Sequence, residues 1–301
     1  MNSYDEEALD KFRSSGKILR ETREEMRRFV KEGLPVIDVC ERAEKLIREK
    51  GGKPAFPCNV SINEVAAHYT SPPGDELVIP EKSLVKVDIG AHVDGYVTDT
   101  AVTVCLDRGS ADLVETAEQA VKKATEYIRA DLSASTLGGA IEKTIRSRGF
   151  RPISNLCGHG VGRYLVHSGT SLPNVSQISL TKLKLGGVYA VEPFVTLSEA
   201  VGRVEDGDSV TIYRFLKPKP VKSEYAKKML AYVQENFRTL PFAERWLLGA
   251  VPKEYHEAAF KELLASRSLM SYPIFVEVSR KIVAQAEHTV LVTKNGCEVL
   301  T

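Results

Sequence analysis

LVKVDIGAHVDGYVTDTAVTVCL, residues 84–106, decides the fold. Two runs rich in Val and Thr flank the dipeptide Asp94-Gly95, a strong signal for a β hairpin closed by a two-residue turn. In that register Asp88 lies opposite Ala101, two residues along the strand from Asp99. Both carboxylates then emerge on one face, diagonally about 7–8 Å apart at the backbone. A three-residue turn would put them on opposite faces, so this interpretation depends on the turn.

An internal repeat indicates that the chain contains two related halves. AEKLIREKGGKPAF (Ala43–Phe56) and IEKTIRSRGFRPIS (Ile141–Ser154) align at an offset of 98 residues with six identical positions. Each copy follows a longer amphipathic helix, shares a Gly-x-x-Pro exit and leads toward β-rich sequence. We therefore expect two α/β halves whose strands join one sheet, with helices covering one face.

A helical block interrupts the second half at about residues 223–267. Before it stands SVTIYRFL and after it FVEVSRKIVAQAEHTVLV, both typical of strands. A helical block between strands of one pattern indicates an insertion. We therefore expect a single domain over residues 1–301 with an inserted helical subdomain at 223–267.

The composition excludes several functional classes. With 41 basic and 40 acidic residues, the net charge of +1 gives no global attraction to nucleic acid or anionic membranes. The five cysteines include no CxxC pair, so neither a disulfide framework nor a thiolate zinc site is indicated. Met1 to Glu7 is polar, unlike a signal peptide, and no apolar stretch is long enough for a membrane helix. These features predict a cytoplasmic protein without membrane contact.

Three further residues are candidate partners of the hairpin aspartates. His159 lies in the glycine-rich NLCGHGVGRYLVH, and Glu192 and Glu287 stand singly in the apolar runs VYAVEPFV and VAQAEHTVLV. A charged residue in such a run is usually paired or bound to a metal, and for any one of them alone a salt bridge is the commoner explanation. Together, four carboxylates and one imidazole indicate a dinuclear centre for Mn, Fe, Co or a non-thiolate zinc ion.

These residues carry a family resemblance over nearly the whole chain. The sequence resembles the type 2 methionine aminopeptidases, in the short form without a charged N-terminal extension. The family's five metal ligands match Asp88, Asp99, His159, Glu192 and Glu287, and its two substrate-side histidines match His68 and His167. Phe56 matches an aromatic residue of the methionine pocket. The resemblance implies an α+β fold called pita-bread, with duplicated α/β halves, a curved antiparallel sheet covered by helices, and the helical insertion.

The resemblance also implies a function. Such an enzyme removes the N-terminal methionine of nascent polypeptides, favouring a small second residue, with two divalent ions (Co, Mn, Fe or Zn). Glu192 is expected to carry a proton to the leaving amine, while His68 and His167 hydrogen-bond the substrate. Further expectations are a monomer, a transient ribosome contact and no specific nucleic acid.

Three other interpretations fit parts of the sequence. A proline-directed aminopeptidase shares the architecture but usually has an extra N-terminal domain. A non-catalytic binding protein on this fold would typically lose metal ligands, whereas all five positions are filled here. A third idea, nucleic-acid binding by the basic KPKPVK stretch before the insertion, rests on three lysines that are more often a solvated connection.

Overall fold

Sixteen strands and six helices are formed by residues 4–301, the part of the chain that this computed structural model describes. Met1 to Ser3, part of the polar N-terminal stretch discussed above, lie outside the described residues. The helices are α1 Glu6–Phe29, α2 Val36–Glu49, α3 Ala111–Tyr127, α4 Ala134–Ser147, α5 Glu224–Asn236 and α6 Lys253–Ser266. The strands are β1 Lys53–Pro54, β2 Asn59–Ile62, β3 Val65–Ala67, β4 Leu84–Val93, β5 Tyr96–Cys105, β6 Arg151–Pro152, β7 Cys157–Gly160, β8 Ser171–Pro173, β9 Val188–Val191, β10 Phe194–Thr196, β11 Val204–Phe215, β12 Pro241–Ala243, β13 Leu269–Glu277, β14 Val283–Gln285, β15 Glu287–Val292 and β16 Cys297–Val299.

The hairpin of β4 and β5 forms in the expected register. Its turn is the two-residue Asp94-Gly95, with φ angles of 51° and 90°, the left-handed conformation that a type I′ turn requires. Asp88 pairs with Ala101, and Gly90 pairs with Asp99. The prediction that the two aspartates share a face is therefore confirmed.

The duplication is visible in the element boundaries. Helices α2 and α4 begin and end 98 residues apart, as do strands β1 and β6 and strands β2 and β7. The apolar positions of α1 and α2, such as Leu19 and Ile47, are buried in one core with Val87 of β4. Those of α3 and α4, such as Ala117 and Ile141, are buried in another core with β15. Each half thus covers its own part of the sheet with its own helix pair.

The strands divide into one large and two small sheets. The main path runs β1-β4-β5-β15-β9-β7-β8, with β2 paired to β4 and β16 paired to β15. This nine-stranded sheet contains strands of both halves, while β6, β10 and β14 form a three-stranded sheet and β3, β11, β12 and β13 a four-stranded one. The expectation of one sheet thus holds for the main path only, because β10 and β14 pair with each other instead of extending it. No helix in residues 4–301 combines the length and the apolar character that crossing a membrane demands.

Helices α5 and α6 pack on each other and on the four-stranded sheet. Their apolar side chains form a separate core with Tyr213 of β11 and Phe242 of β12. Strands β11 and β13, which flank the helices in sequence, pair with each other along most of their length. The chain therefore leaves the sheet at β11 and returns beside it at β13.

A buried ion pair ties this helical block to the first half. Glu44 of α2 accepts hydrogen bonds from Arg245 Nη1 at 3.2 Å, from Arg245 Nη2, from Trp246 Nε1 at 2.8 Å and from the backbone N–H of Cys58 at 3.2 Å. Glu44 is 3% exposed and Arg245 9% exposed, so the pair is shielded from water. A buried charge of this kind depends on its partner, because desolvation without pairing is costly.

Breaking this pair is expected to destabilise the protein strongly. Arg245→Met removes the buried partner of Glu44 and leaves only the exposed Arg48, 3.9 Å away, which should lower the free energy of unfolding by about 3 kcal/mol. Urea unfolding followed by circular dichroism measures the change. The double variant Glu44→Leu with Arg245→Met should recover part of the loss, because no unpaired charge stays buried. An exposed pair serves as control: Lys261→Met, which removes the partner of Glu257, should leave the midpoint unchanged. A stability of Arg245→Met equal to the wild type would contradict this account.

Candidate metal centre

Five neighbouring strands of the large sheet carry the five predicted metal ligands. Asp88 lies on β4, Asp99 on β5, Glu287 at the start of β15, Glu192 directly after β9, and His159 on β7. These strands are adjacent in the order β4-β5-β15-β9-β7. Neighbouring strands lie about 4.8 Å apart, so side chains on one face at one level converge.

Strand register places the three acids of the central strands on one face. Ala101 of β5 pairs with Asp88 on one side and with Glu287 on the other. Residues that pair directly point to the same face, and so do residues two apart along a strand. Asp99, two residues from Ala101, therefore shares the face of Asp88 and Glu287.

The same argument brings in the remaining two ligands. His288 pairs with Val191, so the preceding Glu287 lies opposite Glu192. His159 pairs with Ala190, which is two residues from Glu192 and hence on its face. All five predicted ligands thus emerge on one face of the sheet.

Distances show how closely the ligands meet. Single ligand atoms of Asp99, His159 and Glu287 all lie within 4.8 Å of one another. His159 Nε2 is 3.4 Å from Glu192 Oε1 and 3.7 Å from Asp99 Oδ2. Asp88 and Glu192 lie beside this group of three.

The acids carry shifted pKa values because they are buried close to one another. Burial raises the pKa of Asp88 to about 6. Burial, reinforced by neighbouring carboxylates, holds the pKa values of Asp99, Glu192 and Glu287 well above the usual range. Burial also lowers the pKa of His159 to about 3, so its ring is neutral at pH 7 and retains a lone pair. The protein alone thus disfavours the charges that this site would carry.

The site has the donors that a divalent cation requires. Three buried carboxylate oxygens at the site lack a hydrogen-bond partner, namely Asp88 Oδ1, Asp99 Oδ1 and Glu287 Oε1, and His159 turns its Nε2 toward the same acids. Buried polar atoms are otherwise almost always satisfied, and a missing ion is a physical reason for such exceptions. Carboxylate oxygens with one imidazole suit Mn, Fe, Co or non-thiolate zinc. The residues present therefore fit a divalent metal.

Two amides hold the acids in place and were not identified from the sequence. Asn59 Nδ2 donates to Asp88 Oδ2 at 3.3 Å, and Gln285 Nε2 donates to Glu287 Oε2 at 3.4 Å. Such partners orient metal ligands. The sequence signal that could have identified Gln285 is its position two residues before Glu287 in a β-like run.

The ligands lie in a cavity of about 400 Å³ whose walls contain the other predicted site residues. His68, His167 and Phe56 all line it. The rings of His159 and His167 lie 4.4 Å apart between centroids. The apolar part of the wall is formed by Phe56, Ala67, Val166, Phe194, Ile212, Tyr272 and Phe275. The cavity has the size and character of a site for a small apolar side chain beside a polar reaction centre.

His68 has a defined hydrogen-bonding state. Its Nδ1 lies 3.2 Å from the carbonyl oxygen of Pro273, which can only accept, so Nδ1 donates. Burial and the nearby His167 lower its pKa to about 4, so the ring is neutral at pH 7. Its Nε2 is then unprotonated and can accept a hydrogen bond from a peptide N–H.

His288 points away from the cavity, as alternation predicts. Its Nδ1 lies 3.0 Å from Arg23 Nη1 and 3.2 Å from Thr301 Oγ1, on the helix-covered face of the sheet. His288 is therefore a natural control for Glu287, its neighbour in sequence.

Comparisons with known proteins show which proteins this chain is similar to. A family model described as metallopeptidase family M24 matches residues 10–294. The methionine aminopeptidase of Methanothermobacter thermautotrophicus is 42% identical over 296 residues, covering 97% of this chain and 98% of that protein. The fold is similar to a thermophilic Arx1 (TM-score 0.81, 19% identity, 99% of this chain and 91% of that one). It is also similar to methionine aminopeptidase from Thermotoga maritima (TM-score 0.73, 23% identity, 100% and 99%). At such identities the two structures support the fold alone.

Metal binding should stabilise the protein more as pH rises. Because folding raises the pKa values of the acids, the stability of the metal-free protein falls as pH rises from about 4 through about 6. Protons also compete with the metal at low pH. Manganese added to chelator-treated protein should therefore raise the melting temperature more at pH 7.5 than at pH 5.5.

Two variants make this measurement specific. Asp99→Asn should lose most of the manganese-induced shift, whereas His288→Ala, on the opposite face, should keep it. An equal shift at both pH values, or a full shift in Asp99→Asn, would refute the assignment of the site.

Proposed function

This chain belongs to metallopeptidase family M24 and is a methionine aminopeptidase, and we propose that its cavity holds two divalent ions and the N-terminal methionine of a substrate. Membership of this family implies the use of divalent metal, and the likeness to solved structures confirms the pita-bread fold expected from the resemblance. The number of ions, their identity and the role of each residue are our proposals. As part of them, residues 1–301 form one catalytic domain with 223–267 as an inserted subdomain.

One observation carries the proposal: five ligand-type side chains from five adjacent strands converge on one face. Asp99 and Glu287 lie centrally in this set and would hold metal together with His159. Asp88, on the β4 side, and Glu192, on the β9 side, would supply the remaining ligands. Asn59 and Gln285 would keep the carboxylates oriented.

The reaction is hydrolysis of the first peptide bond. Ions bound here would supply positive charge that acidifies a water molecule and polarises the scissile carbonyl. Glu192 lines the cavity and has a raised pKa, so it is suited to accept a proton and return it to the leaving amine. His68 Nε2 would accept from the substrate backbone, and His167 would stabilise charge developing on the carbonyl oxygen.

Phe56 and its apolar neighbours suit the methionine side chain. A flexible thioether packs well against aromatic rings. Phe56 lies tightly on β4, since a Cβ at Gly90 would stand 2.1 Å from its ring. We propose that the α-amine is held near the acidic end of the cavity, which limits cleavage to the first residue. The proposal also includes the substrates and the setting of the enzyme. We propose a preference for a small second residue, nascent polypeptides as substrates, a cytoplasmic location, a monomer, a transient ribosome contact and no specific nucleic acid.

The other readings are less well supported. The relative that is 42% identical over nearly the whole chain bears the name methionine aminopeptidase, which favours this activity over a proline-directed one. A non-catalytic binding protein has no need of a buried group of acids with raised pKa values, because burying such acids lowers the stability of the fold.

Activity should depend on metal and on His159. Chelator-treated protein should release no methionine from a Met-Ala-Ser peptide, and manganese, iron or cobalt should restore release. His159→Ala should lower kcat/KM at least about a thousandfold, because it removes the imidazole ligand. His288→Ala should remain active. Absence of release with every metal would refute the proposed activity, and full activity of His159→Ala would refute its role as a ligand.

His68 should matter for turnover without holding metal. We expect His68→Ala to lower kcat/KM about a hundredfold or more while the bound metal stays the same, because a hydrogen bond to the reacting group is lost. Steady-state kinetics with metal analysis of the same sample measures both. Loss of metal in this variant would instead assign His68 to the ligands.

A further inference from the structure

Arg214 lies near the end of β11, two residues beyond Ile212, which lines the cavity. It pairs with Pro241 on β12 and with Met270 on β13. Ile212, two residues earlier on the same face, pairs with Tyr272, and both line the cavity together with Pro241. At about 3.3 Å per residue, the backbone of Arg214 is roughly 7 Å beyond that of Ile212. Its side chain thus occupies the next position outward along the cavity wall.

The charge of Arg214 has no anionic partner in the described part of the chain. None of the ion pairs of residues 4–301 includes it. Its Nη2 donates to the thioether sulfur of Met270 at 3.5 Å, a weak acceptor, and its Nε is buried without any partner. A half-buried guanidinium usually meets a carboxylate or phosphate, which its planar donors fit.

The neighbours of Arg214 belong to the proposed reaction site. Burial lowers the pKa of His167, and the positive charge of Arg214 lowers it further. Burial raises the pKa of Tyr272, and Arg214 opposes that rise. The charge of the guanidinium therefore acts on His167 and on Tyr272, and both of these residues line the cavity.

We propose that Arg214 binds a carboxylate on the leaving part of the peptide, an inference that rests on the function proposed above. The acids at the inner end suit the α-amine, so the chain after methionine must run outward toward the rim. In this proposal the methionine packs beside Ile212, and two extended residues span about 7 Å, the distance from Ile212 to Arg214 along the strand. The carboxylate next to Arg214 is then that of the third residue, either an acidic side chain or the free C-terminus of a tripeptide.

Matched peptides test this inference and separate the two sources of the carboxylate. Met-Ala-Glu-amide against Met-Ala-Gln-amide tests the side chain, and Met-Ala-Gly against Met-Ala-Gly-amide tests the C-terminus. Manganese-loaded wild type should show kcat/KM about tenfold higher for the carboxylate member of at least one pair, as expected for one charge-assisted hydrogen bond. The preference should weaken between 50 and 500 mM salt, because exposed charges are screened.

Variants assign the preference to one residue. Arg214→Met should bring the ratio within each pair to about one, and Arg214→Lys should keep part of it, since the charge stays while the planar fork is lost. Arg280→Met, an exposed arginine paired with Glu205, should leave the ratios unchanged. Equal rates within both wild-type pairs, or an undiminished preference in Arg214→Met, would overturn the inference. Absence of methionine release from all four peptides would instead count against the proposed function.

Discussion

Strand register is the constraint on which the site depends. Four of the candidate ligands lie on separate strands, Glu192 directly follows a fifth strand, and the β4–β5 turn sets the relation between Asp88 and Asp99. A slip of one residue in any pairing would turn a ligand to the helix-covered face. The left-handed conformation at Asp94-Gly95 holds the hairpin in one register, and the pairing of β15 with both β5 and β9 carries that register into the second half. The geometry of the centre is thus a property of the sheet rather than of loops.

Register also creates an electrostatic problem, because four acids meet where water is scarce. A cation is available nearby on the same face: Lys86, two residues from Asp88, is 1% exposed. Its ammonium donates instead to the carbonyls of Asn63 at 2.9 Å and Val283 at 2.8 Å. Lys86 therefore joins β14 to the turn after β2 and does not pair with the acids. Within residues 4–301 the acids pair only with His159, whose ring is neutral at pH 7, so a bound cation would balance their charge.

The sequence predicted features that follow from local patterns. The turn dipeptide predicted the hairpin register, the repeat predicted the paired elements 98 residues apart, and isolated acids in apolar runs indicated which side chains meet on one face. Residues that act through tertiary contacts could not be found in this way. Asn59 and Arg214 carry no local signal, because their importance depends on which strand lies beside them. The split of the strands into three sheets likewise depends on long-range pairing.

The duplicated halves and the strands that flank the helical block supply different parts of the site. The duplicated halves contribute the ligands, whereas β11 and β13, the strands flanking the helical block, form the wall next to His68. Thr211 of β11 donates to the His68 carbonyl at 3.2 Å, and Pro273 of β13 accepts from its ring. His68 has a φ of 69°, a strained value for a non-glycine residue that persists only where surrounding contacts impose it. Because these two strands also carry Ile212, Tyr272 and Arg214, we expect changes around the helical block to alter substrate selection without moving the proposed metal ligands.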